Sequence, residues 1–235
     1  MTPVVELADL GLSPEAHDLL GSDHARRLSR TLDLPDDVLA DGHLPLTWQW
    51  AWFTPAVSTS GLRDDGHPRA APDSALAGME RRVFAGGALD RRRPLRLDET
   101  AVRRSRVIDA THKAGRSGDL FIVTVEHTYL QDDEPALVET QDLIYRAAAP
   151  APVPPPGPAI ECPDPDADVV VPDERLLFRY SALTFNTHRI HYDQRHARET
   201  EGYPDLVVHG PLTATLLAGA ASRRAGPLRT FRFRA

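Results

Sequence analysis

Cysteine is almost absent from the sequence, because Cys162 is the single example in 235 residues. One thiol cannot form an intrachain disulfide, and it cannot supply the several thiolates of a structural zinc site. Cys162 also lies in a stretch rich in proline and aspartate, which is a poor setting for a reactive thiol. The composition therefore excludes a disulfide-stapled scaffold and a cysteine-based zinc module.

Long apolar runs and an excess of positive charge are lacking as well. No stretch approaches the roughly 18 apolar residues that a membrane-spanning helix requires, and no basic segment followed by an apolar run marks a signal peptide. The formal net charge of -7 opposes general nucleic-acid binding, which needs a basic surface to displace counterions. We expect a cytoplasmic protein with no membrane partner and no nucleic-acid partner.

Motifs of nucleotide and serine chemistry are missing too. No serine stands in a nucleophile elbow, and no glycine-rich loop carries the lysine that nucleotide phosphates require. Apolar residues make up 41% of the chain, which is enough for a packed core. The sequence predicts a globular protein that works without a cofactor.

The clearest break in the chain is a proline-rich stretch at residues 151–168. Six of its first 13 residues are proline, and acid then alternates with proline. Proline removes backbone donors and favours an extended chain, so this stretch is typical of a linker. The pattern predicts an N-terminal domain over residues 1–150 and a shorter C-terminal domain over residues 169–235.

The N-terminal part begins with two segments at helical spacing. Residues 15–20 and 25–32 carry apolar side chains three and four positions apart. Ser13 and Pro14 are typical of an N-cap and the first position of a helix. We therefore predict helices at both segments.

An aromatic segment and a polar loop come next. Residues 48–53 contain three tryptophans and a phenylalanine, and we expect them to pack in a core or to line a cleft. Residues 58–75 are rich in glycine, proline and aspartate. Loops of this length are often disordered or act as functional lids.

Strand patterns dominate the rest of the first part. Residues 101–110, 119–130 and 136–146 are rich in β-branched and aromatic side chains with partial alternation. The last two segments flank a polar turn at residues 131–134, which predicts a long antiparallel hairpin. After the linker, the predicted elements are a strand at residues 175–182, helices at 194–200 and 212–223, and a final strand at 228–234.

Four side chains suited to chemistry lie within eight residues of one another: Asn186, His188, His191 and Asp193. Shortly afterwards Gly210 precedes a predicted helix. An imidazole is the natural acid or base near neutral pH. A helix start offers unpaired N–H groups and partial positive charge, and glycine lets a ligand carbonyl approach the backbone. The combination is typical of a site that moves a proton and stabilises an oxyanion or enolate.

The run YSALTFNTHRIHYD, residues 180–193, resembles the hydratase motif of the MaoC-like family of hot-dog hydratases and dehydratases. It is most similar to the branch of mitochondrial-type 3-hydroxyacyl-thioester dehydratases and mesaconyl-CoA hydratases. The later VVHGPLTATLL, residues 207–217, is similar to the segment that opens the family's central helix. Further segments similar to this branch are LPLTWQWAWF (44–53), RVFAGGALD (82–90), KAGRSGDLFIVTVEH (113–127) and ETQDLIYR (139–146). The resemblance covers most of the chain.

The resemblance implies an α+β double hot-dog fold, in which two units with curved antiparallel sheets around a central helix pack side by side. The second unit is expected to be incomplete at its C-terminus, because few residues follow the linker. The implied reaction is reversible addition or removal of water on an enoyl or 3-hydroxyacyl thioester of coenzyme A or an acyl-carrier protein, without a cofactor. A homodimer or other oligomer is expected to cover the unfinished sheet edge.

The resemblance also implies roles for individual residues. The family's usual dyad is an aspartate and a histidine five positions apart, and here His191 matches the histidine while Asn186 stands at the aspartate position. Because asparagine cannot exchange a proton, acid/base catalysis falls to His191 and an orienting role to Asn186. Gly210 is expected to donate its N–H to the thioester oxygen. The remaining candidates are His188 and Asp193 as auxiliaries and His209, Lys113 and Arg116 as substrate-binding residues.

Several alternatives stay open at this point. Asp193 is equally suited to cap the helix that follows it, and Gly210 to permit a tight turn. A metal set of His188, His191 and Asp193 lacks a convincing further ligand, so we expect no metal site. For the whole protein, a thioesterase on the same fold and a non-catalytic thioester-binding or scaffold subunit are the alternative functions.

Overall fold

The computed structural model describes residues 4–79, 81–115, 118–147 and 167–234. The α-helices in these ranges are α1 (Ser22–Thr31), α2 (Glu174–Leu183) and α3 (Gly210–Ala225). The strands there are β1 (Glu15–Leu19), β2 (His43–Leu44), β3 (Arg81–Arg91), β4 (Leu95–Arg96), β5 (Thr100–Gly115), β6 (Gly118–Gln131), β7 (Glu134–Arg146) and β8 (Thr230–Arg234). Shorter helical turns include Trp48–Ala51, Arg189–His191 and a π-helical turn at His196–Thr200. Among the described helices, none has both the length and the apolar character needed to cross a membrane.

Six strands form one antiparallel sheet in the order β1-β5-β6-β7-β3-β8, and β2 pairs with β4 in a small second sheet. β6 buries alternate side chains such as Val123 and Val125, as a strand with one face in a core does. It turns into β7 through Asp132 and Asp133, whose φ angles of 53° and 59° suit a two-residue type I′ turn. The predicted hairpin and the predicted α+β class are confirmed.

The helix predicted at residues 15–20 is wrong. This segment is β1, which pairs with β5 from Glu15 opposite Arg104 to Leu19 opposite Thr100. Its side chains alternate between exposed and half-buried positions. A helix of six residues has little stability of its own, so pairing with the long β5 outweighs the helical spacing of the segment.

The strand predicted at residues 175–182 is also wrong, because the chain forms α2 there. Asp173 caps this helix by accepting a hydrogen bond from the N–H of Leu176 at 3.0 Å. Leu177, Tyr180 and Ser181 are buried at the i, i+3 and i+4 spacing of one helical face. The cap and this spacing favour a helix and outweigh the strand-like composition of residues 175–182.

The other predicted elements of the C-terminal part are confirmed, with shifted ends. The helix predicted at 212–223 is α3, the strand predicted at 228–234 is β8, and the helical segment at 194–200 contains the π-helical turn. In the N-terminal part, α1 contains most of the helix predicted at 25–32. These segments have strong periodicity or capping signals of their own.

The main core draws on residues that precede and follow the proline-rich stretch. Leu28 of α1, Leu137 of β7, Leu177 of α2 and Leu212 of α3 are almost fully buried in the same cluster. Residues 151–166 of the predicted linker lie outside the described residues. The division into two domains therefore stays a prediction.

β8 extends the sheet that the first part of the chain forms. It pairs with β3 from Gly86 opposite Arg234 to Asp90 opposite Thr230. β3 has an irregularity at Gly86, where φ is +155° and a Cβ atom would lie 2.6 Å from the carbonyl oxygen of Phe233. Glycine thus permits β8 to approach closely, and the pairing places Arg234 on the wall of a cavity.

Candidate active site

The motif residues follow α2 in a hydrogen-bonded turn. Phe185 lies just after the end of α2 with a φ of 51°, and Asn186 donates its N–H to the carbonyl of Ser181 at 2.8 Å. The side-chain oxygen of Asn186 accepts the N–H of His188 at 2.9 Å. Since the amide oxygen is occupied by this turn, the side-chain NH₂ of Asn186 has its two donors left for a ligand.

The ring of His191 is buried, with 7% of the residue exposed. Its Nδ1 lies 2.6 Å from the carbonyl oxygen of Val207. A carbonyl only accepts, so Nδ1 carries the proton and Nε2 keeps its lone pair. Burial lowers the pKa of His191 to about 4, although the Val207 carbonyl opposes this effect. At neutral pH the residue is therefore an uncharged base.

His209 lies against His191 and is 1% exposed. The two rings stack with centroids 3.6 Å apart. Nε2 of His209 is 2.8 Å from the hydroxyl of Ser181, and the ring of Tyr180 meets it edge-on at 5.0 Å. Burial, and then the neighbouring His191, hold the pKa of His209 far below its usual value. The surroundings make His209 a neutral support for the ring of His191.

A cavity of about 520 Å³, here called the main cavity, joins the motif to the start of α3. Asn186, His188, His191 and Gly210 all line it. α3 begins at Gly210, so the N–H of this residue has no partner within the helix and lies at the positive end of the helix dipole. The structure thus brings a neutral imidazole, a side-chain amide and a helix start to one cleft.

A second cavity of about 410 Å³ adjoins the main cavity. The residues that line both are His67, Arg82, Phe84, Asn186, His209 and Pro211. Trp50, Trp52 and Phe53 line the second cavity, which agrees with the cleft predicted for residues 48–53. The two cavities meet at Asn186 and together suit an elongated ligand with an apolar end.

A loop from the first part of the chain packs against the motif. Thr187 donates its hydroxyl to the carbonyl of Gly66 at 2.6 Å. Arg189 donates its N–H to the carbonyl of Asp65 at 2.9 Å. The polar loop predicted at residues 58–75 is therefore an ordered part of the candidate site.

His67 from this loop lies beside His188, with ring centroids 4.0 Å apart. Burial, together with His67 and His191, holds the pKa of His188 far below its usual value. The sequence did not predict Asp65 and His67 as site residues. The one feature of the sequence that points to them is an Asp-Gly-His tripeptide in a long polar loop. The same tripeptide occurs at residues 41–43, so it does not identify the site by itself.

Four arginines line the main cavity: Arg81, Arg82, Arg146 and Arg234. The carboxylates in its lining are Asp65 and Glu201, and Glu201 lies 2.7 Å from the guanidinium of Arg81. Two buried guanidinium nitrogens, Nη1 of Arg81 and Nε of Arg146, find no hydrogen-bond partner within the described part of the chain. Positive charge exceeds negative charge on this wall, which favours an anionic ligand.

Comparison with known proteins shows the family to which the chain belongs. The family model described as hydroxyacyl-thioester dehydratase type 2 matches residues 47–235. The mesaconyl-C(4)-CoA hydratase of Chloroflexus aurantiacus is 42% identical over 231 residues, which cover 97% of this chain and 82% of that protein. The chain belongs to the hydroxyacyl-thioester dehydratase type 2 family. The resemblance to MaoC-like hydratases and dehydratases is confirmed, and the chain is a carbon–oxygen lyase of the class that acts on acyl thioesters.

Solved structures agree on the fold of the chain. A MaoC-like dehydratase from Phytophthora capsici superposes with a TM-score of 0.63 at 16% identity, covering 98% of this chain and 83% of that one. HtdX of Mycobacterium tuberculosis gives the same TM-score at 16% identity, covering 94% and 81%. At this identity the likeness concerns the fold alone, which is that of the MaoC-like dehydratases.

Two predicted residues, Asp193 and Lys113, do not line the two cavities, and a third lies outside the described residues. Asp193 accepts the N–H of His196 at 3.0 Å and pairs with Arg189 at 2.6 Å, so it occupies the capping position that was its alternative. Lys113 lies exposed on β5 and lines neither cavity. Arg116 lies outside the described residues.

Asp65, His67 and His188 form the one group of three potential metal ligands in the described part of the chain. Their ligand atoms lie within 4.8 Å of one another. Asp65 is already paired with Arg63. We therefore do not assign a metal site to this group, and the set of His188, His191 and Asp193 is not assembled in the described part of the chain.

Proposed function

We propose that the chain reversibly adds water to an enoyl thioester, or removes it from a 3-hydroxyacyl thioester, with His191 as the acid/base and Gly210 as a backbone donor. The observation that carries this proposal is the single cleft lined by His191, Asn186 and the start of α3 at Gly210. Membership of the type 2 dehydratase family supports the reaction class.

In the hydration direction, neutral His191 accepts a proton from water at Nε2 while the water oxygen bonds to Cβ. The electrons of the C=C bond move to Cα and into the thioester carbonyl, which gives an enolate. The N–H of Gly210 donates to the enolate oxygen, and a donor of this kind lowers a barrier by about 3–4 kcal/mol. Protonation at Cα completes the addition, and dehydration is the reverse.

Asn186 orients the water or the thioester in this scheme. Its amide oxygen is held by the N–H of His188, so its NH₂ group donates to a ligand oxygen. His188 is the neighbouring auxiliary on the same wall. The side chain of Asn186 lies where the two cavities meet, which is where a reacting carbon between the carrier and the acyl group belongs.

The carrier and the acyl group are assigned to different cavities. The arginines of the main cavity suit the phosphates of coenzyme A or of the pantetheine arm of a carrier protein. The name of the Chloroflexus relative, a CoA-thioester hydratase, supports coenzyme A. Trp50 and Trp52 provide apolar surface for the acyl group in the second cavity. Binding roles for His209, Lys113 and Arg116 remain part of the proposal.

A panel of enoyl- and 3-hydroxyacyl-CoA esters, followed by mass spectrometry, tests the function. We expect at least one ester to gain or lose 18 daltons (one water, as the reaction class requires) without release of free thiol. Release of thiol would instead identify a thioesterase. Tight binding of an ester without any mass change would identify a binding subunit, and either result would refute the proposal.

The double hot-dog arrangement, the oligomer and the location belong to the same proposal. β8 forms one end of the described sheet, and an uncovered edge strand favours pairing with another chain. We expect a homodimer, which light scattering of the purified protein checks. The cytoplasmic location rests on the single cysteine of the sequence.

A further inference from the structure

We propose that His67, oriented by Asp65, is a second proton-transferring residue of this site and exchanges the proton at Cα of the substrate. This inference rests on the proposed function. The need for such a group arises because Asn186 cannot exchange a proton, while water addition requires one proton to leave water and one to reach carbon. His67 and Asp65 are the candidates that the fold brings beside the motif.

The loop that carries His67 is fixed to the motif by its backbone. The carbonyl of Gly66 accepts the hydroxyl of Thr187, and the carbonyl of Asp65 accepts the N–H of Arg189. Gly66 has a φ of +91°, and a Cβ atom there would overlap the carbonyl oxygen of Thr187. Only glycine allows this contact, so the position of His67 relative to the motif is set by close packing.

Asp65 holds the ring of His67 in one orientation. One carboxylate oxygen of Asp65 accepts the N–H of His67 at 2.9 Å, and the other lies 3.4 Å from Nδ1 of the ring. A carboxylate only accepts, so Nδ1 carries a proton and Nε2 is the atom that exchanges one. The residue lines both cavities and is thus located where they meet.

The charges around His67 favour a proton on this ring over one on His191. Burial lowers the pKa of His67, the carboxylate of Asp65 opposes this, and Arg82 and Arg63 add to the lowering. The hydrogen-bond partner of His191 is a neutral carbonyl, and burial together with the charge of His67 takes the pKa of His191 to about 4. His188 is the remaining titratable neighbour of His67, and it is held neutral. A proton that enters the site is therefore less disfavoured on His67, which has a carboxylate partner, than on His191.

The two imidazoles then divide the reaction between them. In hydration, neutral His191 takes a proton from water as the C–O bond forms at Cβ, and protonated His67 gives its proton to Cα. One O–H bond and the C=C π bond break, and one C–O and one C–H bond form. Afterwards His191 is protonated and His67 neutral, and proton exchange with solvent water restores the starting state. His188 lies between them, with centroids 4.0 Å from His67 and 5.4 Å from His191.

The chain contains its own control for this inference. Residues 41–43 repeat the Asp-Gly-His tripeptide, and Asp41 accepts the N–H of His43 at 3.0 Å and faces its Nδ1 at 3.2 Å. The local geometry is nearly the same as at residues 65–67. His43 lies in β2 and lines neither cavity, so the two copies differ in placement and not in sequence.

The experiment compares His67→Gln, Asp65→Asn and His43→Gln on an ester that the wild-type protein hydrates. We expect His67→Gln to lower kcat by about 100-fold with little change in KM. In the wild type we expect kcat to decline as rising pH deprotonates His67, and this decline should be missing in His67→Gln. Asp65→Asn should cause a smaller loss, and His43→Gln none. Thermal unfolding of each variant reports on folding.

A second measurement separates catalysis from structure. His67→Ala should regain activity when imidazole is added, whereas a merely structural defect would not respond. The inference is overturned if His67→Gln behaves like His43→Gln, or if His67→Ala shows no rescue while still binding the ester. Failure of the wild-type protein to hydrate any ester would instead refute the proposed function, so the two failures are distinguishable.

Discussion

The imidazole rings of His191 and His209 stack with centroids 3.6 Å apart and planes inclined by 20°. Each ring has one fixed partner, the Val207 carbonyl for His191 and the Ser181 hydroxyl for His209. Two adjacent buried rings cannot both be charged without mutual repulsion. The stack therefore fixes the plane of the His191 ring, while burial lowers the pKa of His191 and keeps the ring neutral.

Replacement of His191 by alanine should lower kcat by about 10²- to 10⁴-fold, because the proposed base is lost. His17→Ala is the control, since this histidine is exposed on β1 and pairs with Glu15. Steady-state kinetics and circular dichroism of both variants check the prediction. Near-normal turnover by a folded His191→Ala protein would end the assignment of His191 as the acid/base.

Two serine–histidine pairs test whether Ser181, through His209, supports the position of the His191 ring. Ser181 lies 2.8 Å from Nε2 of His209, and Ser105 lies 2.8 Å from Nδ1 of His127. Alanine at either serine leaves a buried ring nitrogen unpaired and should cost about 1–3 kcal/mol of stability. Urea unfolding measures this cost. Only Ser181→Ala should also lower kcat, and equal kinetic effects from both variants would contradict the proposed support.

The motif and the helix start could be predicted from sequence because each is local. Asn186 and His191 are five residues apart, and Gly210 directly precedes an apolar helix. Strands β6 and β7 were predictable for the same reason, since their alternation and their two-residue turn are contiguous. The structure adds the contact of these segments in one cavity.

The contribution of the loop could not be predicted, because it depends on a contact across more than 120 residues. Gly66 meets Thr187, and nothing near residue 66 indicates that partner. The identical tripeptide at residues 41–43 shows that the local pattern cannot select one copy. The wrong predictions at β1 and α2 concern short segments with weak local preferences. At β1, pairing with β5 outweighs the helical spacing. At α2, the Asp173 cap and the helical spacing outweigh the strand-like composition.

Acid should destabilise the fold through its buried histidines. Burial lowers the pKa values of His127 and His191 to about 4, whereas an unfolded histidine titrates near 6.5. The unfolded chain thus binds more protons as pH falls from about 6.5 towards 4, and stability is lost in that window. Each residue should contribute a loss of about 2 kcal/mol between pH 7.5 and 5. Urea midpoints measured at pH 7.5 and 5.0 check this, and an unchanged midpoint would contradict the neutral state of these rings.

Asn186→Asp should keep the turn and change the titration of the base. The carboxylate still accepts the N–H of His188, but the two amide donors are lost and a negative charge appears on the cavity wall. Negative charge favours an imidazolium, so the acidic limb of the kcat profile, governed by His191, should move to higher pH. Asn186→Ala removes both turn and donors and should lower kcat without that movement. An acidic limb that stays in place in Asn186→Asp would show that the two side chains do not interact.

Gly66→Ala and Gly42→Ala form a matched pair in the two Asp-Gly-His tripeptides. Both glycines have positive φ, +91° and +71°, so alanine strains either backbone by about 1–2 kcal/mol. Around Gly42 no atom lies within 4 Å of an added Cβ, whereas at Gly66 the Cβ would overlap the Thr187 carbonyl.

Gly66→Ala must therefore displace the loop from the motif and carry His67 away from the cavities. We expect it to lose more stability than Gly42→Ala and to lower kcat, while Gly42→Ala keeps the wild-type kcat. Urea unfolding and steady-state kinetics of the two proteins measure these differences. Equal stability losses with equal kcat values would mean that the loop is not held against the motif, and the placement of His67 beside His188 would then have to be abandoned.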